Sequence, residues 1–336
     1  MNNKPRIAIV GAGVGGCSAA YFLRKLKTNF DPELVVFEGD KDGHIGGRLR
    51  SVRLENFNVE CGGTIFLKDN RYMYSLTKSM GLNHVNLDKD RSRLVIMGDK
   101  RHPIAYSDFG WPYMFSSIVL LYRYGWDLYK ALRYTASNIK YFSRIYDLQK
   151  KGHAFTSTAK FLSALAPDDL FLNMTKTTFS DWLEKEMHLG DRIRDEIAYG
   201  LVANNYTQKP QDVHAFVGFL SLATMSPNLM AVKEGNDAVP KALLKKALES
   251  NEQVENRSVR KAQVLRVRQN EDKWILDFKE LQTDLEKSEQ FDYVLICSPL
   301  HQNNVIKGPE GIWPTAVQYR NMQVSSALLK SSQSVG

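Results

Sequence analysis

Arg6-Ile7-Ala8-Ile9-Val10-Gly11-Ala12-Gly13-Val14-Gly15-Gly16 decides how the rest of the chain is read. Ile7 to Val10 is a short continuous apolar run, the pattern of a buried parallel strand. The glycines follow at once and match G-x-G-x-x-G at Gly11, Gly13 and Gly16. Ala19, Ala20, Leu23 and Leu26 then recur on one side of a helix. A second apolar run, Leu34-Val35-Val36-Phe37, ends in Glu38, 22 positions beyond Gly16. Strand, glycine turn, helix, strand and acid together form the context that a dinucleotide fingerprint requires. Gly11 permits the tight turn, Gly13 keeps side-chain bulk away from a pyrophosphate, and Gly16 lets helix and sheet pack closely. Free N–H groups and the positive end of the helix dipole then face the phosphates. Glu38 suits a ribose 2′-OH and repels a 2′-phosphate, so NADP is disfavoured.

Two more glycine pairs extend this reading. Gly46-Gly47-Arg48 follows eight positions after Glu38, and Glu60-Cys61-Gly62-Gly63 comes soon after it. Paired glycines allow further backbone approaches to a long ligand, and Arg48 offers a fixed charge for phosphate. The expected cofactor-binding set is Gly11, Gly13, Gly15, Gly16, Glu38, Gly46, Gly47, Arg48, Gly62, Gly63 and Val259. Acid, then Gly-Gly-Arg, then Gly-Gly resembles the FAD domain of the flavin amine-oxidase superfamily more than an NAD dehydrogenase.

The chain has 336 residues, 43% hydrophobic and 24% charged, with a formal net charge of +8. That length supports a large core in two lobes. Much of the excess charge lies between Lys241 and Arg268 and reads as a solvated face. No nucleic-acid motif is present. Cys17, Cys61 and Cys297 are far apart, without C-x-x-C, and no His-x-x-x-His pair occurs, so no metal site is expected. Cys17 reads as a packed thiol in the first helix. Met1 to Pro5 lead into the first strand without an apolar h-region, so no signal peptide is read. No run reaches the length of a membrane span.

Arg71 to Gly81 reads as a helix closed by Gly81, and residues 93–97 with 101–106 as a hairpin. From Tyr106 to Tyr146 come 13 aromatic residues in 41 positions, about three times the average density of the chain. This largely helical stretch would pack a helical lobe and could also wall a long apolar ligand or rest on a membrane surface. Leu148 to Leu165, Asp168 to Met187, Ile193 to Leu201 and His214 to Ala223 continue the lobe, with Ser180 as an expected N-cap. A helix at Val239 to Leu248 follows Glu234-Gly235-Asn236. A hairpin at Val264 to Phe278 follows, then a buried strand at Asp292 to Pro299 that returns to the nucleotide sheet. A weaker strand is read at Gln323 to Leu329. The expected fold is α/β: a doubly wound, Rossmann-like FAD domain at 1–105 and 230–300, with a helical substrate lobe inserted at 106–229. Residues 301–336 would start a further substrate portion.

Three inserted stretches make the chain resemble the prenylcysteine oxidase family in particular. They are Tyr122-Arg123-Tyr124-Gly125; Ala154-Phe155-Thr156-Ser157 with Phe161 to Leu165; and Asn205-Tyr206 with Asp212 to Gly218. Ala231 to Asn236 continues the likeness. The resemblance implies an FAD-dependent thioether oxidase acting on farnesyl- or geranylgeranyl-cysteine. Hydride passes from the prenyl C1 to the flavin, water adds to the resulting cation, and a prenyl aldehyde and free cysteine separate. Oxygen then reoxidises the flavin to give hydrogen peroxide. Tyr124, Asn205 and Tyr206 are the substrate-side candidates the resemblance supplies; it assigns no catalytic residue. It also implies a secretory and lysosomal setting, which sequons at Asn173, Asn205 and Asn256 would suit. Two alternatives stay open: another FAD amine-oxidase-like oxidase, and an inactive lipid-binding relative. No closing Gly-rich turn is read beyond Gly311, so these 336 residues are expected to hold FAD poorly.

Overall fold

The computed structural model describes residues 4–26, 30–55, 57–86, 95–97, 103–106, 113–225, 228–248, 258–299 and 306–309. In chain order the first elements are β1 (Arg6–Val10), α1 (Val14–Lys25), β2 (Glu33–Glu38), β3 (Ser51–Leu54), β4 (Phe57–Glu60) and β5 (Phe66–Leu67). Next come α2 (Arg71–Ser79), β6 (His84–Asn86), β7 (Val95–Met97) and β8 (Pro103–Tyr106). Helices α3 (Tyr113–Phe142), α4 (Arg144–Lys150), α5 (Thr158–Leu165), α6 (Leu170–Met174), α7 (Phe179–Asp181), α8 (Tyr199–Tyr206) and α9 (Ala215–Ala223) follow. The chain then forms β9 (Leu229–Val232), α10 (Ala238–Leu248), β10 (Val259–Asn270), β11 (Lys273–Glu280), β12 (Glu286–Phe291) and β13 (Tyr293–Ile296).

These elements group into two units, one of residues 1–64, 76–84 and 232–336, the other of 65–75 and 85–231. The second unit therefore starts well before Tyr106, where the change in composition draws the boundary. The hairpin read at 93–106 forms as β7 against β8 and groups with the helices. The weak strand read at 323–329 lies outside the described residues.

The first unit is built on a sheet of order β12-β11-β10-β2-β1-β13. Its centre is parallel: β1 pairs with β2 and β13, and β2 with the start of β10. Alternation decides the two faces of β1. Ala8 and Val10 join a cluster with Val35, Phe37, Phe278 and Phe291. Ile9 points the other way, toward Gly16 at the start of α1, and α10 packs on α1. A register shift between Val264 and Arg266 marks a bulge in β10. Bulges bend and twist strands, and the β10–β11–β12 ribbon packs its aromatic side on the parallel strands. Phe37 lies 5.0 Å from Phe278 and 5.9 Å from Phe291, centroid to centroid. Strand β12 has no apolar run and escapes the sequence pattern; pairing with β11 sets its structure. Strand β13 returns to β1 as expected, yet it is not buried: Tyr293 is 54% and Leu295 37% exposed.

The second unit is helical and has its own core, including Leu165, Phe171, Phe179, Leu183, Val202 and Phe219. Gly218 is required there, because a Cβ on it would sit 2.0 Å from the Phe179 ring. Helix α3 is broken at Gly125, whose φ of 56° and ψ of −139° are non-helical. The helix read over 148–165 is likewise split. Gly152, at φ +73°, follows α4, and Ser157 caps α5 by accepting from the Lys160 N–H. The span 168–187 is a chain of short turns, with α6 and α7 joined to single-turn segments at 167–169 and 182–186. The cap of α7 is Thr178, not Ser180: its hydroxyl accepts from the Asp181 N–H and donates to the Asp181 carboxylate at 2.8 Å. A carboxylate at the third helical position completes a reciprocal cap, which Ser180, one residue inside the helix, cannot form. Thr178→Ala is expected to cost about 1 kcal/mol in urea unfolding, whereas Ser180→Ala should stay within about 0.5 kcal/mol.

Candidate cofactor site

The expected glycines, Glu38 and Arg48 gather at one end of the parallel sheet as a stack of turns within the first unit, whereas Val259 lies in β10, outside that stack. The first layer is the loop from β1 to α1. Gly11 has φ +101°, donates its N–H to the Phe37 carbonyl at 2.8 Å, and backs onto Cys297 and Ser298. A Cβ on Gly16 would stand 1.9 Å from the Gly11 carbonyl oxygen, so only glycine brings α1 this close to β1. The buried Cys17 thiol donates to the Ala12 carbonyl, and burial pushes it up to about 12, so it is a packing group and not a nucleophile.

Gly13 behaves differently. It is the N-cap of α1, with φ −72° and ψ −177°, a conformation open to any residue. Nothing lies closer than 3.9 Å to a Cβ built there, and nothing lies within 4 Å of one on Gly15. The space over Gly13 and Gly15 is open, as a phosphate-binding helix start needs. No side chain caps α1, and its first turn carries no acid. Glu38 fixes the loop: its carboxylate accepts from the Ala12 N–H at 2.9 Å and the Asp40 N–H at 2.7 Å. A carboxylate has about four lone-pair sites, so two are left for a ribose hydroxyl.

The second layer is Gly46-Gly47-Arg48. Gly46 donates its N–H to the Ala12 carbonyl at 2.9 Å and bridges to Gly13. Gly46 and Gly47 have φ of +133° and +59°, and a Cβ on Gly47 would come 3.2 Å from the Gly13 Cα. Arg48 is exposed and makes no side-chain ion pair with another described residue. The third layer is Cys61 to Thr64. Gly63 donates its N–H to the Arg48 carbonyl at 3.0 Å, and a Cβ on Gly62 would sit 2.0 Å from that same oxygen. Val259 stands opposite Val36 at the start of β10, which places Lys261 opposite Glu38.

A fourth layer, Gly235-Asn236-Asp237, lies beneath and was not among the expected site residues. The Asn236 amide donates to the Gly63 and Thr64 carbonyls, both at 2.8 Å, and its oxygen accepts from the Val232 N–H at 3.0 Å. Its own N–H donates to Glu60 at 2.7 Å, and Ser51 donates to the other Glu60 oxygen at 2.9 Å. Burial raises the Glu60 carboxyl above its ordinary value, partly offset by these two bonds. The signal in the sequence was Gly-Asn before a helix, which reads as a turn until its partners are seen.

The substrate-side candidates fall in the helical unit. Tyr124 is in the core, and its hydroxyl donates to Glu196 at 2.7 Å. Burial, and then that bond, push it up to about 12. Arg123 holds the same carboxylate through two bonds and keeps it below its ordinary range. Asn205 and Tyr206 close α8 on an exposed turn, where Thr207 takes φ +54°. No described hydrogen bond or ring contact links them to Tyr124. Among the described residues no cluster of three His, Cys, Asp or Glu side chains could hold a metal ion. No described helix is long and apolar enough to cross a membrane.

Residues 110–333 match the family model described as prenylcysteine lyase, and residues 9–79 match that of an NAD(P)-binding Rossmann-like domain. Prenylcysteine oxidase 1 of Bos taurus is 33% identical over 239 residues, covering 71% of this chain and 45% of its own. The Rattus norvegicus protein of that name is 30% identical over 298 residues, covering 88% and 56%. Prenylcysteine oxidase 1-like of Mus musculus is 28% identical over 303 residues, covering 89% and 57%. The chain thus spans about half the length of the curated relatives it matches. Among solved structures, putrescine oxidase bound to putrescine superposes with a TM-score of 0.56 at 18% identity, covering 91% of this chain and 60% of its own. A fatty acid isomerase from P. acnes gives 0.52 at 17% identity, covering 89% and 60%. At such identity these two show the fold alone.

The two central glycines should separate in experiment. Gly13→Val should keep the wild-type urea midpoint but lose nucleotide binding, read by titration with ADP. Gly16→Ala should lose about 1–3 kcal/mol of stability, because helix or strand must shift to admit the methyl group.

Proposed function

The chain belongs to the prenylcysteine lyase family, and from that premise we propose that its glycine-turn stack holds FAD for oxidation of prenylcysteine thioethers. The carrying observation is the depth of the stack. A single βαβ turn suffices for the ADP half of either NAD or FAD. Here two further turns, Gly46-Gly47-Arg48 and Cys61 to Thr64, are fastened onto the first in succession, through the Ala12 and Arg48 carbonyls. The α1 start would face the pyrophosphate, Glu38 the adenosine ribose, and Arg48 with Gly62 and Gly63 the more distant part of the cofactor. Glu38 opposes a 2′-phosphate.

Bound FAD would supply the hydride acceptor for the prenyl C1, with O2 taking the electrons onward to hydrogen peroxide. Water supplies the oxygen of the aldehyde, and cysteine leaves as the thiol. The chain's own part is to bind, orient and exclude water. Asn205 and Tyr206 are the proposed substrate contacts. Tyr124, with its hydroxyl given to Glu196, shapes the wall and does not exchange protons. Tyr122 and Trp126 of α3, 92% and 67% accessible on either side of the Gly125 break, are the exposed aromatics that would make a peripheral membrane contact. A secretory and lysosomal setting goes with the same reading, and Asn173 is an exposed sequon on α6.

Peroxide release should be followed with farnesylcysteine, geranylgeranylcysteine and putrescine after loading with FAD. The proposal expects release with the two thioethers and little with the amine. Equal or better turnover of putrescine would favour an amine oxidase instead.

A further inference from the structure

The Asn236 amide is engaged entirely by neighbouring backbone, yet the turn it fastens is open on its other side. Residues 61 to 64 are exposed, while the carbonyls of Gly63 and Thr64 are tied from below to a side chain only 2% accessible. Both amide hydrogens and the amide oxygen are used, and the backbone N–H is held by Glu60. Such a fully satisfied buried group rigidifies what it touches. Its location is specific. The 235–237 turn meets the second layer as well, because a Cβ on Gly46 would lie 3.3 Å from the Asp237 Cβ. Gly235 must lack a side chain, since a Cβ there would reach Ser51 Oγ at 2.5 Å. Asp237, 3% accessible, is neutralised by Lys241 at 2.6 Å. No described contact ties Asn236 to the first layer of Gly11 to Gly16 or to Glu38.

Resting on the flavin reading above, we infer that Asn236 is a positioning residue for the part of the cofactor beyond ADP. It sets the height of the 61–64 turn, and so the fit of a ligand long enough to reach the third layer. The first layer is held independently, by Glu38, by the Phe37 carbonyl and by the approach of Gly16 to Gly11. A ligand that touches only the first layer is therefore indifferent to Asn236.

The test is a pair of dissociation constants, for ADP and for FAD, on wild-type protein and on Asn236→Asp. The substitution keeps the shape but sets a carboxylate against two carbonyl oxygens. Loss of those two hydrogen bonds should weaken FAD about tenfold or more, with ADP changed less than about twofold. If that variant does not fold, Asn236→Ser, which is smaller and uncharged, should give the same pattern. A parallel loss for both ligands, or no loss for either, would overturn the inference while leaving the flavin reading intact. Wild-type protein binding FAD no more tightly than ADP would overturn the flavin reading and the inference with it.

Discussion

One contact underlies the arrangement of the whole first unit: the approach of α1 to β1 at Gly16. Any side chain there would collide with the Gly11 carbonyl, 1.9 Å from an added Cβ. The helix starts close to the sheet, and space is left open at Gly13 and Gly15. Each later turn is fastened to the one before it. Gly46 hangs from the Ala12 carbonyl, Gly63 from the Arg48 carbonyl, and Asn236 holds the Gly63 and Thr64 carbonyls from beneath. Each junction is backbone on backbone or amide on carbonyl, and glycine stands wherever a Cβ would part the layers.

That arrangement explains which parts could be read from residues alone. Local devices with strict steric requirements were legible. Gly11 and Gly16 do what the spacing predicts, and Gly81 ends α2 with φ +72°. The return of β13 to β1 was legible from its apolar run, but its exposure was not, since burial depends on what covers the sheet. The bend at Leu265 and the added strand β12 came from pairing, which leaves little trace in local sequence. The capping residue of α7 was misread because serine is, in isolation, a somewhat better cap than threonine. Only Asp181, placed to return the bond, distinguishes them. The helical break at 151–157 was missed because Leu148, Phe155 and Leu162 keep a seven-residue spacing through it.

Asn236 shows the limit most plainly. Its four partners come from residues 60, 63, 64 and 232, so its role spans more than 170 positions of sequence. Nothing local marks a Gly-Asn pair as the floor of a site. Tyr124 is the converse. A tyrosine in a family-like motif suggests contact with substrate, while the fold places its hydroxyl on Glu196, held in turn by Arg123. Chemistry-bearing residue types serve the framework as often as the reaction, and geometry is what separates the two.

On the flavin reading, three glycine turns form one surface for one long nucleotide. Hydrogen–deuterium exchange of the whole chain, with and without saturating FAD, tests it most directly. Residues 11–16, 46–48 and 61–64 should gain protection together, because one ligand covers all three. Protection confined to 11–16, or absent from all three, would contradict it.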